Sequence, residues 1–241
     1  MAVKKPVTSL QVVEYLRQRI ESGEWKPDDK LPSERTISET IHTSRVTTRE
    51  ALKQLEAEGK IYRSNRRGWF VTPERIRYNP ARVSYFMEYV AEQGFEPFSR
   101  QLSKTLCAAG GRLAARMSVD ADEELLQIER LRGVDGRPVY FEQIYLRPSQ
   151  LPGLAEKDLE HSVSAVLRQQ YGREYDQVEL DISVASLSAE QAELLQAPAG
   201  YTCLVIQRLT RDQYGTVIEY DREFWRHDAL QMNLLLGAGA A

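Results

Sequence analysis

SRVTTREALKQLEAEG, residues Ser44 to Gly59, is the stretch on which the reading of this 241-residue chain turns. As a helix it places Ser44 at the N-cap, where a hydroxyl can accept from a free backbone N–H of the first turn. Gly59 then falls just past the last turn, where a left-handed C-cap is wanted. Val46, Ala51, Leu52 and Leu55 fall near one face, and Arg45, Thr47, Thr48 and Arg49 crowd the first turn and a half. A helix that opens on arginine and threonine instead of acids runs against its own macrodipole, and an anion at that end, such as a DNA phosphate, relieves the conflict. Upstream, Ser33 to Ile41 reads as a shorter helix, with His42-Thr43 as the tight turn between the two. Two helices joined by so short a turn, the second carrying the polar start, form the helix-turn-helix pattern.

Outward from this centre, a first helix is expected from Ser9 to Ser22, because Val12, Val13, Leu16 and Ile20 recur at helical spacing and Gly23 stops the run. The segment WKPDDKLPSER crosses to the second helix through Pro27 and Pro32, with Ser33 as its cap. After Gly59, the β-type runs Ile61-Tyr62-Arg63 and Trp69-Phe70-Val71 flank SNRRG, which predicts a hairpin with a basic tip. Three helices followed by that hairpin make a winged helix-turn-helix.

Leu31-Pro32-Ser33-Glu34-Arg35, then Ser44 to Leu52, then Leu55, Gly59 and Gly68-Trp69-Phe70-Val71 together resemble the GntR family of bacterial transcription regulators. The resemblance implies that Arg35, Arg45 and Arg49 read bases and phosphates. It implies that Ser33, Ser44, Thr47 and Thr48 bond the DNA backbone, and that the wing enters the minor groove through Arg66 or Arg67 beside Gly68. The chemistry agrees, since a guanidinium fork matches guanine O6/N7 and phosphate. For Arg49 the plainer alternative is a solvated surface charge, with Lys53 nearby, or a pair with its neighbour Glu50, and the LPSER context favours the DNA reading. The sequence departs from the family's G-x-G-T-F-V wing, with Arg66 and Trp69 standing where a Gly and the Thr would be.

At 241 residues the chain is long for one compact unit and comfortable for two, and its composition is that of an ordinary soluble protein: 42% hydrophobic, 28% charged, net charge −3. Residues 1 to 75 hold 15 Lys+Arg against 11 Asp+Glu, a net of +4, and the remainder holds 17 against 24, a net of −7. A mildly basic front on an acidic back suits a DNA-binding head on a body that stays off the duplex. No apolar run approaches the roughly 18 residues of a membrane span, and MAVKKPVTSLQVVEYL has no signal core. Cys107 and Cys203 stand far apart and in no metal spacing, so a reducing cytoplasm is expected, with no metal and no cofactor.

A polar segment with two prolines, TPERIRYNP, is expected to link residues 1–72 to a body at 81–241, with 73–80 as the linker. The body is expected to open with a helix from Ala81 to Gln93, then a strand from Phe98 to Ala108 and a short helix from Gly110 to Met117. LLQIERLRGV alternates as a strand, Asp135-Gly136 is a hairpin turn, and RPVYFEQIYL returns. A helix from Ser162 to Tyr171 and a strand from Glu174 to Ser186 follow. The segment from Ser188 to Trp225 then repeats the order helix, strand, glycine turn, strand. Ile128-Glu129-Arg130-Leu131 aligns with Ile206-Gln207-Arg208-Leu209, so a pseudo-symmetric antiparallel sheet with a cleft is expected, an α+β body.

That order resembles the UTRA effector domain of the HutC branch, whose fold is like chorismate lyase. The matching stretches are ERLRGVDGRPVYFEQIYL, the helix opening at Ser162, and VIEYDREFWRHD. Arg130 and Arg132, two apart on a strand, point to one face. They are either a clamp for a small anion or cross-strand partners of Glu142 or Glu223. The resemblance implies the clamp. It also implies that Glu142 and Glu219 hold polar or cationic parts of an effector, with Ser162 and Arg226 as further effector-binding residues; Tyr145, Tyr220 and Trp225 are candidates on the same strands. The usual R-x-D-R-Y ending is replaced after Asp228 by Ala229-Leu230. FWRHDAL is similar to phosphonate-utilisation regulators of this branch, including those for 2-aminoethylphosphonate.

The expected function is a homodimeric, sequence-specific DNA-binding regulator, a repressor acting on a palindromic operator. A phosphonate, sugar phosphate or carboxylate bound in the body would control it. The competing readings are a chorismate-lyase-like enzyme on a small anionic substrate and an architectural DNA binder with no effector. Against the enzyme, only His42, His161 and His227 occur, and no catalytic constellation can be assembled around them.

Overall fold

The computed structural model describes residues 7–64, 67–80 and 85–234. They form two compact units, one built mainly on residues up to 75 and the other on 76–195, 199–226 and 230–234. No helix among the described residues is long and apolar enough to cross a membrane.

In the first unit α1 runs Ser9–Glu21, with Thr8 and Gln11 forming a reciprocal capping box. Helix α2 (Glu34–Thr40) is capped by Ser33, and α3 (Arg45–Ala57) by Ser44, each side chain accepting from the backbone three residues on. His42 takes a positive φ of 55° in the turn between them, and Gly59 follows α3 at φ 70°. The α3 residues Thr48, Ala51, Leu52 and Leu55 are buried, the i, i+3, i+4, i+7 set of one face. They pack on Val12, Val13 and Leu16 of α1 and Ile37 of α2. Val46 is two residues out of step with that face and is 67% exposed, which corrects its expected place in the core.

Strands β1 (Ile61–Ser64) and β2 (Gly68–Val71) pair antiparallel as the expected hairpin. A third chain segment joins them: the Leu31 N–H donates to Trp69 O at 2.9 Å, and Lys30 bridges to Phe70. Trp69 turns inward and closes the core, so the wing departs from the family pattern by gaining a buried anchor.

In the second unit β3 (Ile76–Tyr78) lies inside the segment expected as a linker. It pairs in parallel with β10 (Leu230–Met232) because Ile76 and Tyr78 alternate inward. Helix α4 spans Phe86–Ala91, and the expected start of that helix at residues 81–84 lies outside the described residues. A six-stranded antiparallel sheet follows, from β4 (Pro97–Ala108), β5 (Glu124–Val134), β6 (Arg137–Leu146), β7 (Tyr175–Ser186), β8 (Thr202–Asp212) and β9 (Val217–Arg226). The strand order is β4-β5-β6-β9-β8-β7. With α5 (Gly110–Met117) and α7 (Ala189–Leu194), the units β4-α5-β5-β6 and β7-α7-β8-β9 repeat one another and meet through β6 and β9. The expected internal repeat is therefore a pseudo-two-fold sheet. The β5–β6 turn places Asp135 at φ 51° and Gly136 at φ 75°, the pair of positive values of a tight hairpin turn.

Helix α6 (Val163–Tyr171) packs Val163 and Leu167 onto Leu126, Ile128, Ile144 and Leu146. Helix α5 contributes Ala114 and Met117 to a separate cluster with Leu125, Leu209 and Tyr220.

Candidate functional site

On the first unit, the amino end of α3 carries an exposed polar surface. Ser44 Oγ accepts from the Thr47 N–H at 3.0 Å and lies 2.9 Å from Thr47 Oγ1. Arg45 is exposed one residue on. Arg49 reaches back to α2, its Nε and Nη2 donating to Glu34 Oε2 at 3.1 and 2.9 Å. Burial opposes the charge on Glu34, but the hydrogen bonds from Arg49 and Trp69 outweigh it and hold the carboxyl below its ordinary range. Arg35 pairs with Glu39 one turn away, at 3.1 Å, and Ser33 serves as the α2 cap. Arg67 is exposed, with its guanidinium over the Phe70 ring at 5.2 Å, next to Gly68 at φ 111°. Arg66 lies outside the described residues.

Two of the sequence expectations change here. Thr48 is fully buried and its hydroxyl donates to Ser44 O at 3.1 Å, so it builds the helix and does not face outward. The partner of Arg49 is neither Glu50 nor any α3 neighbour but Glu34, a residue of the quoted LPSER run.

On the second unit, a cavity of about 120 Å³ opens on the sheet face that carries Arg130, Arg132, Glu142 and Glu219, with Ser162 at its rim. Arg226 points to the other face, where it donates to Leu195 O at 2.9 Å and lies over the Tyr201 ring; strand alternation separates it from Glu219. Tyr145 and Tyr220 stack on each other, also away from the cavity. Ser162 caps α6, its Oγ accepting from the Ala165 N–H at 3.1 Å.

Both readings of the Arg130/Arg132 pair meet at Glu142. Arg130 Nε donates to Glu142 Oε1 at 2.8 Å, and Arg132 Nε donates to the same oxygen. Arg130 Nη1 also donates to Leu159 O at 2.6 Å, and Arg132 Nη2 to His161 O at 3.3 Å. The cross-strand alternative is thus realised, with one carboxylate between two guanidinium groups. Burial pushes Glu142 toward neutrality, but the two arginines outweigh it and keep its pKa below the usual carboxylate value.

Sequence reasoning missed Arg208, Asp221 and most of the aromatic wall. Arg208 Nη1 donates to Asp221 Oδ2 and to Glu223 Oε1, both at 3.0 Å, and its Nη2 to the Tyr78 hydroxyl at 2.8 Å. The signal was present in the repeat: Arg208 aligns with Arg130, and in the sheet Arg208 faces Asp221 as Arg130 faces Glu142. Burial, reinforced by Glu223, Glu219 and Glu142 against the pull of Arg208, drives the Asp221 pKa well up. Glu219 is raised by burial too, although the Tyr175 hydroxyl donates to it. Tyr140 stacks on Trp225 at 3.9 Å between ring centroids, with Phe86 edge-on at 5.1 Å.

Comparison with known proteins matches residues 8–71 to the gntR family of bacterial regulatory proteins and residues 92–231 to the UTRA domain. The uncharacterized HTH-type transcriptional regulator YihL of Escherichia coli K12 is 33% identical, covering 91% of this chain and 93% of its own length. The HTH-type transcriptional repressor NagR of Bacillus subtilis is 29% identical over 90% of each chain. The crystal structure of PhnF from Mycobacterium smegmatis superposes with a TM-score of 0.67 at 28% identity, covering 94% of this chain and 99% of that one.

Proposed function

We propose, from the premise that this chain belongs to the GntR family of bacterial regulators and carries a UTRA domain, that it is a repressor working on a palindromic operator under the control of a small anionic metabolite. The relatives are transcriptional regulators and not enzymes, which sets the lyase reading aside. The observation that carries the DNA reading is the amino end of α3, where Arg45 and Arg49 stand exposed around a Ser44–Thr47 hydroxyl pair. In this reading Arg35, Arg45 and Arg49 contact base edges and phosphates, Ser33, Ser44 and Thr47 bond the DNA backbone, and the wing enters the minor groove through Arg66 or Arg67 beside Gly68. Relatives named as repressors support the sign of regulation.

The head comprises residues 1–72, and the body that holds the effector and the dimer contact runs to residue 241 and takes in β3 from the expected 73–80 linker, in a cytoplasmic protein. The effector, a phosphonate, sugar phosphate or carboxylate, sits in the cavity beside Arg130, Arg132, Glu142, Ser162 and Glu219. It regulates only if it binds the DNA-competent and incompetent arrangements unequally. A palindrome needs two heads. The edge strand β7 offers an exposed apolar row for a second copy, Val178, Ile182 and Val184 on one face.

A footprint of the full chain on the DNA upstream of its own gene tests this reading. A protected inverted repeat, lost in Arg45→Ala and released by one of the three effector classes, is the expected result. No protected repeat, or release by none of the three, contradicts it.

A further inference from the structure

We propose that the cavity holds a seat for an organic monocation, a protonated amine resting on the carboxylate of Asp221, so that the effector is an amine-bearing molecule and not a simple anion. The inference deepens the effector reading above and rests on it only for the word effector; the seat itself is read from the cavity.

Charge comes first. The cavity wall brings together four carboxylates, Glu142, Glu219, Asp221 and Glu223, and three guanidinium groups, Arg130, Arg132 and Arg208. Fully ionised, the set is one negative charge in excess. The carboxyl groups of Glu142, Asp221 and Glu223 bring an oxygen each within 4.8 Å of one another, and unpaired charge in so dry a place is costly.

Glu142 takes its two arginines. Glu223 accepts from Arg208 and, through its other oxygen, from the Trp225 indole N–H at 2.7 Å. Asp221 spends Oδ2 on Arg208, but its Oδ1 is buried with no hydrogen-bond partner among the described residues, in a residue that is 3% exposed. A buried acceptor left open next to two further carboxylates is a donor's position, and an ammonium has three donors.

The size of the charge selects the occupant. A monocation brings the set to neutrality, whereas a divalent metal would overshoot it and would stand beside the Arg208 guanidinium, already 3.0 Å from both Asp221 and Glu223. Tyr78, Tyr89 and Tyr140 line the same cavity, and an aromatic wall favours an organic cation over a hard ion. Without an occupant, the excess charge is relieved by a proton on Asp221, consistent with its raised pKa.

Thermal melts of the full chain at neutral pH, in methylammonium chloride against sodium chloride of equal ionic strength, test the seat. At 100-fold over a millimolar dissociation constant the wild type should melt several degrees higher in methylammonium, roughly 5–10 °C. The gain should vanish in Asp221→Asn, whose fold is checked by circular dichroism. Equal melting in the two salts overturns the proposal, as does stabilisation by magnesium chloride in place of methylammonium. The wild-type comparison stands even where the variant fails to fold. A methylammonium gain with no operator release by any amine-bearing compound would sink the effector reading and leave the seat; operator release by an anion with equal melting in both salts would do the reverse.

Discussion

Arg49 and Glu34 form an ion pair at 2.9 Å in which the arginine side chain is 59% exposed and the carboxylate 24%. The pair aims the guanidinium along the outer face of α3 without burying it, and an exposed pair of this kind is weak enough to yield to a phosphate. Glu34→Gln should therefore release Arg49. Binding to random duplex should tighten about two- to fivefold, and the preference for operator over random DNA should narrow. Fluorescence anisotropy on both duplexes checks it, and unchanged affinities for both would show that Glu34 has no part in aiming Arg49.

Thr47 and Thr48 are adjacent in sequence and opposite in role. Thr48 is fully buried and donates to Ser44 O, so Thr48→Val should cost on the order of 1 kcal/mol of stability and leave operator affinity nearly unchanged. Thr47→Val should do the opposite, weakening the operator complex with little change in the melt. Urea unfolding beside anisotropy separates the two.

The buried carboxylates predict a pH dependence of opposite signs. The Asp221 pKa is raised, with Arg208, Glu223, Glu219 and Glu142 around it, so the folded chain holds this proton more tightly than the unfolded chain. Its contribution is present in acid and is lost as pH climbs through the folded pKa. Asp221→Asn removes that loss, and its melting temperature should gain on the wild type toward alkaline pH. The Glu142 pKa is lowered, so its contribution is present above the ordinary carboxylate range and is lost as pH falls through the folded pKa. Glu142→Gln should therefore lose most against the wild type at neutral pH and least in acid. Melts of both variants from pH 4 to 9 check the signs, and parallel wild-type and variant curves would contradict them.

The edge strand β7 leaves Val184 68% exposed, with Ile182 and Val178 beside it. As the proposed dimer face, it should be broken by Val184→Asp with Ile182→Asp, halving the mass seen by sedimentation without unfolding the chain. A variant that keeps the wild-type mass would move the dimer contact elsewhere.

The fold was legible where local signals and tertiary needs agree. Ser44 and Gly59 bracket α3, Gly110 to Met117 is helical as expected, and the repeat around Ile128 and Ile206 became a two-fold sheet. Ile76 to Tyr78 was obscured because a three-residue strand among prolines and charges has too short a period to register, and its pairing strand lies more than 150 residues away at Leu230. Val46 and Thr48 exchanged places because an apolar residue does not by itself decide which face is buried; the spacing to Ala51, Leu52 and Leu55 selects Thr48. In the cavity, Arg130, Arg132 and Glu142 were visible from strand alternation. Arg208 was visible only by carrying the repeat through to side chains. That Asp221 keeps an open oxygen depends on side-chain geometry that no spacing encodes.

The guanidinium groups at the amino end of α3 are the centre of the account, and salt dependence of operator binding tests them most directly. Each phosphate contact removed should lower the slope of log K against log salt by about 0.9. Arg45→Ala with Arg49→Ala, folded by circular dichroism, should lose operator affinity at least tenfold and show a shallower slope than the wild type. A doubly substituted chain that binds the operator with wild-type affinity and wild-type slope would contradict the account.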